Sequence, residues 1–245
     1  MDTAHSNGRN KADSLPQLSV LLPTRNEKDN LELLFPRLDS VLRVIGVQYE
    51  TIVVDGDSVD GTLEMAQRHC TLAFQQEGAG YGLALKQGFQ AASGQYIVTL
   101  DADLSHDPKF IQNLWINREK ADVVIASRYC EGGAAQAPLF RRLLSQVLNS
   151  CFKYGFGVPV TDVSSGFRLY RADIIKKVEF EGTSYDALEE ILIRIHNERG
   201  RIIEVPFTYL PRVHGVSNAR IFRIGLRLLG TFFRLRRRLH RSNES

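Results

Sequence analysis

The stretch TIVVDGDSVDGT, residues 51–62, holds an apolar run, a carboxylate-rich turn and a helix start in immediate succession. Thr51–Asp55 is too short for a helix and apolar on both faces, as strands buried in a parallel sheet are. Three further runs have the same character: Leu18–Pro23, Tyr96–Asp101 (YIVTLD) and Asp122–Ser127 (DVVIAS). Helix-like segments separate them, at Asn30–Val44, Gly61–His69, Tyr81–Ala92 and Pro108–Asn117. Strand and helix in alternation predict an α/β fold with a doubly wound, mostly parallel sheet flanked by helices. After residue 130 the rhythm changes. A helix is expected over Leu139–Phe152, then a Gly/Ser/Pro-rich loop, a helix near Asp186–Glu198, a strand near Ile202–Phe207 and an Arg-rich tail.

Composition narrows the class. The 245 residues are 43% hydrophobic and 24% charged, ordinary for a globular chain and unlike a disordered, collagenous or disulfide-stapled one. Cys70, Cys130 and Cys151 lie far apart, which suits a reducing compartment and argues against a cysteine zinc site. No run approaches the ~20 apolar residues of a membrane span. The polar start, residues 1–17, lacks the apolar core of a signal peptide and reads as a disordered leader, so a cytoplasmic location is expected. Residues 18–218 are expected to form one domain. The net charge of +3 conceals an asymmetry: residues 212–245 hold nine Arg and one acid, Glu244. A mildly acidic body with a basic tail points to an anionic surface as partner.

In open α/β sheets, ligands bind beyond the carboxyl ends of the strands. Those ends here read PTRNE (Pro23–Glu27), DGDSVDGT (Asp55–Thr62) and DADLSHDP (Asp101–Pro108), which gathers carboxylates on one rim. Asp101 and Asp103 offer hard oxygen ligands to Mg²⁺ or Mn²⁺, with water and phosphate oxygens completing the shell. Their alternative use, capping the next helix, falls better to Asp107, which precedes Pro108. Asp55-Gly56-Asp57-Ser58-Val59 admits two readings. It imitates the nucleophile motif of haloacid-dehalogenase-like phosphatases, although that motif wants an apolar residue where Asp60 stands. Alternatively, Asp55 accepts hydrogen bonds from a nucleobase edge, while Asp60-Gly61-Thr62 turns the chain and caps a helix. EGAGYGLALKQGF (Glu77–Phe89) is Gly-rich but lacks dinucleotide-fingerprint spacing, so its glycines are read as allowing close approach of the donor. His106, His196 and His214 share no metal-like spacing.

Taken together the motifs favour the second reading of Asp55. LPTRNE, VDGDSVDGT, GYGLALKQGF, LDADLSHDP, ASRY, RRLLSQVLN, DVSSGFRLYR and EVPFTYLPRVHGVS occur in order from Leu22 to Ser217, about four fifths of the chain. In this the sequence resembles the family 2 inverting glycosyltransferases of GT-A (Rossmann-like) fold, and among them the polyprenyl-phosphate (dolichol-phosphate) mannose synthases. The resemblance implies a nucleotide-sugar donor, Mg²⁺ or Mn²⁺, and a polyprenyl-phosphate acceptor. It implies that Pro23, Arg25, Glu27 and Asp55, with Asp57, line the donor pocket, and that Asp101 and Asp103 hold metal and diphosphate. Arg128, Arg141 or Arg142 with Ser145, Arg168, Arg212 and Ser217 would surround the phosphates, as two anionic substrates require. Glu190, where the family also has Glu, would orient groups and not abstract a proton. Three departures stand out: Gly56 replaces a frequent Asp, Ser105 a frequent Gln, and Asn218 a Lys whose charge Arg220 would supply. GDP-mannose is the expected donor; a UDP-sugar, or a hydroxyl acceptor, is the alternative.

The tail, residues 219–245, is expected to form a basic amphipathic helix. At ~100° per residue, Arg220, Arg223, Arg227, Arg234, Arg238 and Arg241 share one face, opposite Ile221, Leu226, Phe232, Phe233 and Leu235. Such a helix can pack its apolar face on the domain, but that face spans more than one packing contact needs and suits the interface of an anionic membrane, with Phe232 and Phe233 toward lipid. Nucleic acid is not expected as partner, because the rim carboxylates would repel its phosphates.

Overall fold

Because successive side chains of a strand point to opposite faces, the short apolar runs must be covered on both sides. The computed structural model, which describes residues 15–136, 138–210 and 230–237, shows how. Seven strands, β1 (Leu18–Thr24), β2 (Tyr49–Asp55), β3 (Leu72–Gln75), β4 (Tyr96–Thr99), β5 (Val123–Ser127), β7 (Arg168–Arg171) and β8 (Ile202–Pro206), form one sheet in the order β3-β2-β1-β4-β7-β5-β8. All pairings are parallel except those of β7, which runs antiparallel between β4 and β5. The short β6 (Ala134–Ala135) and β9 (Thr208–Tyr209) pair separately.

Helices α1 (Lys28–Ile45), α2 (Thr62–His69), α3 (Tyr81–Ala91), α4 (Ile111–Ile116), α5 (Leu139–Phe156), α6 (Ala172–Ile175) and α7 (Asp186–Asn197) complete the fold. Leu21, Ile52 and Ile97 join Leu85, Phe89, Phe152 and Ile191 in one core cluster. Val20, Leu22, Val53 and Val98 join Leu34, Leu38 and Leu114 in the other. The strand alternation therefore sorts the apolar residues into two layers.

Most expected elements stand within a few residues of their anticipated bounds, while three features differ. The edge strand β3 and the antiparallel β7 were not foreseen: RLYR carries charge at both ends and does not read as a central strand. The leader was expected to extend through residue 17, yet Pro16 and Gln17 are already tied to the sheet. Gln17 N donates to Gln48 O at 2.8 Å and accepts from Tyr96 N at 3.0 Å through its own carbonyl. In the tail, residues 230–237 are helical. Phe232, expected to face lipid, packs instead edge-on against Phe152 and Phe156, with ring centroids 5.6 and 5.1 Å away. Gly155 makes room for it, since a Cβ there would lie 2.4 Å from the Phe232 ring. Leu235 is buried alongside, and Thr231 and Arg234 both bond Asp186 at the start of α7. Phe233 remains exposed. The rest of the anticipated amphipathic helix lies outside the described residues.

Candidate active site

The carboxyl ends of β1, β2, β4 and β5 lie on one rim, and local hydrogen bonds decide what each terminal residue presents. Two loops are stitched together at the ends of β1 and β2. Asn26 N donates to Ser58 Oγ (2.7 Å), Val59 N to Asn26 Oδ1 (2.9 Å), Glu27 N to Thr62 Oγ1 (2.9 Å), and Lys28 N to Asp60 Oδ2 (3.2 Å). Asp60 also accepts from Thr62 N, at the start of α2, as the turn reading anticipates. Pro23 and Glu27 are half-buried and Arg25 is exposed. Glu27 accepts from Asn30 Nδ2 at 2.6 Å.

Asp55 ends β2. It is buried, and its oxygens accept from Thr24 Oγ1 (3.2 Å), Ser58 Oγ (2.6 Å) and Ser58 N (2.8 Å). These three bonds make Asp55 an organiser of its turn. Asp57 is exposed, takes a left-handed φ of 63° and accepts from Gln75 Nε2 at 3.0 Å.

After β4 the chain turns sharply, with Leu104 at φ 63°. Asp103 is buried, and its Oδ1 accepts from both Ser105 N (3.0 Å) and Ser105 Oγ. Ser105 therefore braces the second Asp from within its own turn. Asp101 N donates to His106 Nδ1 at 3.0 Å, while the imidazole stacks on Phe167 at 5.0 Å. Burial lowers the pKa of His106, which keeps Nδ1 available as an acceptor. Tyr81 Oη approaches Asp101 Oδ1 at 3.4 Å, an approach permitted by Gly166, whose Cβ would sit 2.8 Å from that hydroxyl. Two carboxylates two residues apart make an all-oxygen donor set, which fits a hard divalent cation. Among the described residues no group of three or more His, Cys, Asp or Glu is gathered, so phosphate and water oxygens would complete such a site.

The arginines divide. Arg128, just after β5, is held bidentately by Asp162, with Nε to Oδ2 at 2.8 Å and Nη2 to Oδ1 at 2.7 Å. Burial opposes its charge, but the Asp162 carboxylate outweighs that and raises its pKa. Arg142 is exposed on α5, Arg141 lies in the same helix, and Ser145 accepts from Asn149 at 3.5 Å. Arg212 and Ser217 lie outside the described residues.

Arg168, expected at the phosphates, is fully buried at the start of β7. Its Nη1 donates to Leu188 O (2.8 Å) and Tyr170 Oη (3.3 Å), and its Nη2 to Val163 O (2.6 Å). The Gly/Ser turn beside it delivers the guanidinium to the core, where buried carbonyls need donors. Nearby on α7, burial pushes the Glu189 carboxyl up to about 8, so it holds its proton at neutral pH. Glu190 is also buried, accepting from Gly182 N (2.9 Å) and from Arg194 Nη2 (2.7 Å). Sequence reasoning missed His106, which it tested only for metal spacing, and Asp162, which opens the quoted DVSSGFRLYR without a role. The signal for both was adjacency to a functional motif.

Comparison with known proteins places this geometry. The profile of Glycosyl transferase family 2 matches residues 19–179. The chain is 35% identical over 215 residues to a dolichol-phosphate mannosyltransferase of Pyrococcus furiosus, covering 83% of this chain and 59% of that protein. It is 30% identical to a polyprenol monophosphomannose synthase of Mycolicibacterium smegmatis, covering 81% of this chain and 79% of that one. Among solved structures, glucosyl-3-phosphoglycerate synthase of Mycobacterium tuberculosis, in complex with Mn²⁺, UDP and glucosyl-3-phosphoglycerate, superposes with a TM-score of 0.70. It shares 20% identity over 88% of this chain and 78% of that chain, a likeness of fold.

Proposed function

This chain belongs to Glycosyl transferase family 2, and from that premise we propose that it is an inverting hexosyltransferase that moves mannose from GDP-mannose onto a polyprenyl monophosphate. The observation that carries the reading is the rim itself: the Asp101/Asp103 turn, braced by Ser105 and His106, lies on the same sheet edge as the Arg128 that follows β5. The two relatives named for phosphomannose chemistry support the donor and acceptor.

Bound between the two carboxylates and the diphosphate, Mg²⁺ or Mn²⁺ would offset the negative charge that develops on the leaving group. The acceptor phosphomonoester has its second pKa near ~6 and already presents an anionic oxygen at neutral pH. That oxygen attacks the anomeric carbon as the nucleoside diphosphate departs, and no protein base is required. Both oxygens of Glu190 are occupied by Gly182 N and Arg194, which suits a role in shaping the site. Glu190→Gln is therefore expected to keep appreciable turnover on a phosphate acceptor. Complete loss, with folding and donor binding intact, would favour a hydroxyl acceptor instead.

An anionic membrane surface on the cytoplasmic side is the proposed place of action. No helix among the described residues is long and apolar enough to cross a membrane. The support for peripheral contact comes from α5. Leu139, Phe140, Leu143, Val147, Cys151 and Tyr154 are all exposed there. At ~100° per residue they fall in one arc of roughly 120° that contains no charged side chain. Exposed Phe233 lies on the helix that packs beside Gly155, and the sequence from Arg212 onward supplies the basic charge that anionic lipid attracts. The lipid-facing role expected of the Phe232–Phe233 pair passes to Phe233 and α5.

The test is transfer of radiolabelled sugar to polyprenyl phosphate in anionic vesicles, with GDP-mannose and UDP-glucose as parallel donors. GDP-mannose should be used and UDP-glucose should not; the reverse result would reassign the donor. The double variant Leu143→Glu, Val147→Glu should weaken partitioning onto vesicles by about 10²-fold or more, since each buried apolar side chain contributes about 1.5–3 kcal/mol. Wild-type protein that fails to sediment at low salt would remove the membrane from the proposal.

A further inference from the structure

Tyr81 opens α3 inside the Gly-rich segment, and its hydroxyl reaches 3.4 Å from Asp101 Oδ1. That separation is about half an ångström beyond a closed O–H···O bond. The ring behind the hydroxyl is held from two sides. Its inner side packs on the core cluster that contains Leu85 and Ile191. Tyr185, just before α7, stacks on it with ring centroids 4.7 Å apart and planes 19° apart. The loop that carries Tyr185 is pressed onto α3: Gly82 N donates to Thr183 O at 3.1 Å, and a Cβ on Gly82 would lie 2.2 Å from Gly182 O. Gly182 N and Ser184 N donate in turn to Glu190 (2.9 Å) and Asp186 (3.1 Å) of α7. This part of the Gly-rich segment thus seats a loop against the tyrosine.

The hydroxyl end is fitted as closely. Gly166 lies beside it, and a Cβ there would come within 2.8 Å of Tyr81 Oη and 3.7 Å of Asp101 Oδ1. Gly166 is itself tied to β4, because Thr99 Oγ1 donates to Gly166 O at 2.7 Å, two residues before Asp101. The slot that admits the phenol therefore has one wall fixed to the strand that delivers the carboxylate. With the ring held, the adjustment that closes the bond is a small rotation of the Asp101 carboxylate. A phenol donates at neutral pH, and a carboxylate offers about four lone-pair sites. Such a bond fixes the plane of the carboxylate and leaves lone pairs for a cation.

We infer that Tyr81 is a positioning residue for Asp101, its hydroxyl setting the rotation of that carboxylate toward a divalent cation through a slot that exists only because residue 166 is glycine. The inference rests on the proposed reading of Asp101 and Asp103 as the cation-binding turn. Hydrogen bonds from outside a coordination sphere orient the ligands within it, and losing one costs about 10–100-fold in metal affinity. In this role Tyr81 acts through Asp101 and not on the reacting atoms. A rigid phenol on a core-packed helix suits the task, because a ligand must be held to within about 0.5 Å of its productive geometry.

Electron paramagnetic resonance of unbound Mn²⁺ measures this without turnover, with Mn²⁺ titrated into the full chain in the presence of GDP. Tyr81→Phe, which deletes one hydroxyl and keeps the ring against Tyr185, should raise the Mn²⁺ Kd by about 10-fold while the protein melts as the wild type does. Gly166→Ala, which crowds the hydroxyl out of its slot, should weaken Mn²⁺ binding by about the same factor. In the Tyr81→Phe background, where the crowded atom is gone, Gly166→Ala should add about 2-fold or less. Independent packing roles for the two residues would instead make their losses multiply. Wild-type Mn²⁺ affinity in Tyr81→Phe overturns the inference alone, as does a Gly166→Ala loss of equal size in both backgrounds. If Gly166→Ala does not fold, Tyr81→Phe carries the test. Wild-type protein that binds no Mn²⁺ in the presence of GDP overturns the reading of the rim and the inference with it.

Discussion

Replacing Asp103 by Asn is expected to lower kcat by about 10²-fold or more, and Asp101→Asn should do the same. The substitution keeps shape and removes charge. Asn can still accept from Ser105 N and Oγ through its amide oxygen, so the turn that follows β4 should persist. What is lost is the anionic oxygen that a hard cation prefers, and with it the offset for charge developing on the departing diphosphate. An uncompensated charge in a partly desolvated cleft costs several kcal/mol at the transition state, and each 1.4 kcal/mol is about a tenfold change in rate. The measurement is steady-state turnover at saturating Mn²⁺, paired with a melting curve to show intact folding. Near-wild-type turnover in either variant would remove that residue from the metal site.

The second large effect concerns stability. Arg168→Met should destabilise the fold by about 2–4 kcal/mol: Val163 O would be left buried without a donor at about 1–3 kcal/mol, and Leu188 O, which keeps its helical donor within α7, would lose a second bond worth about 0.5–1.5 kcal/mol. For a chain of this size that corresponds to a fall in melting temperature on the order of 10 °C. Glu189 does not offset the loss: burial already holds it protonated at neutral pH, so it needs no countercharge. Chemical denaturation separates this outcome from the phosphate role that the Gly/Ser turn suggested. If Arg168→Met melts with the wild type and only acceptor binding falls, the guanidinium reaches substrate and its buried position is not the one that matters.

Much of the architecture was legible from residues 51–62 and their counterparts. Short runs apolar on both faces demand a sheet covered on both sides, and helix-length spacing between them demands parallel connections. Carboxylates at three strand ends then fall on one rim for the same reason. Position in the chain was therefore enough to find the Asp101–Asp103 turn and the Asp60 cap, while Arg128 entered through the family resemblance. β7 escaped because the residues that qualify it as a central strand, Leu169 and Tyr170, are bracketed by two arginines, and no local pattern reveals that the first of them, Arg168, is buried.

The same limit governed the site. A carboxylate beside an apolar strand can bond a ligand or its own turn, and only the structure shows three donors of the turn gathered around Asp55. Arg128 and Arg168 each sit beside a strand terminus with Gly or Ser near, yet one meets the Asp162 carboxylate at the rim and the other a set of core carbonyls. Phe232 and Phe233 are adjacent and chemically identical, and the gap left by Gly155 takes only the first. Residue type and spacing determined which groups this protein brings to its rim. Some of their hydrogen-bond partners come from distant parts of the chain, Asp162 at 34 residues from Arg128 and Leu188 at 20 from Arg168. Which groups remain available to a ligand was therefore decided only when the chain closed on itself, since a buried polar atom takes whichever partner packing brings within reach.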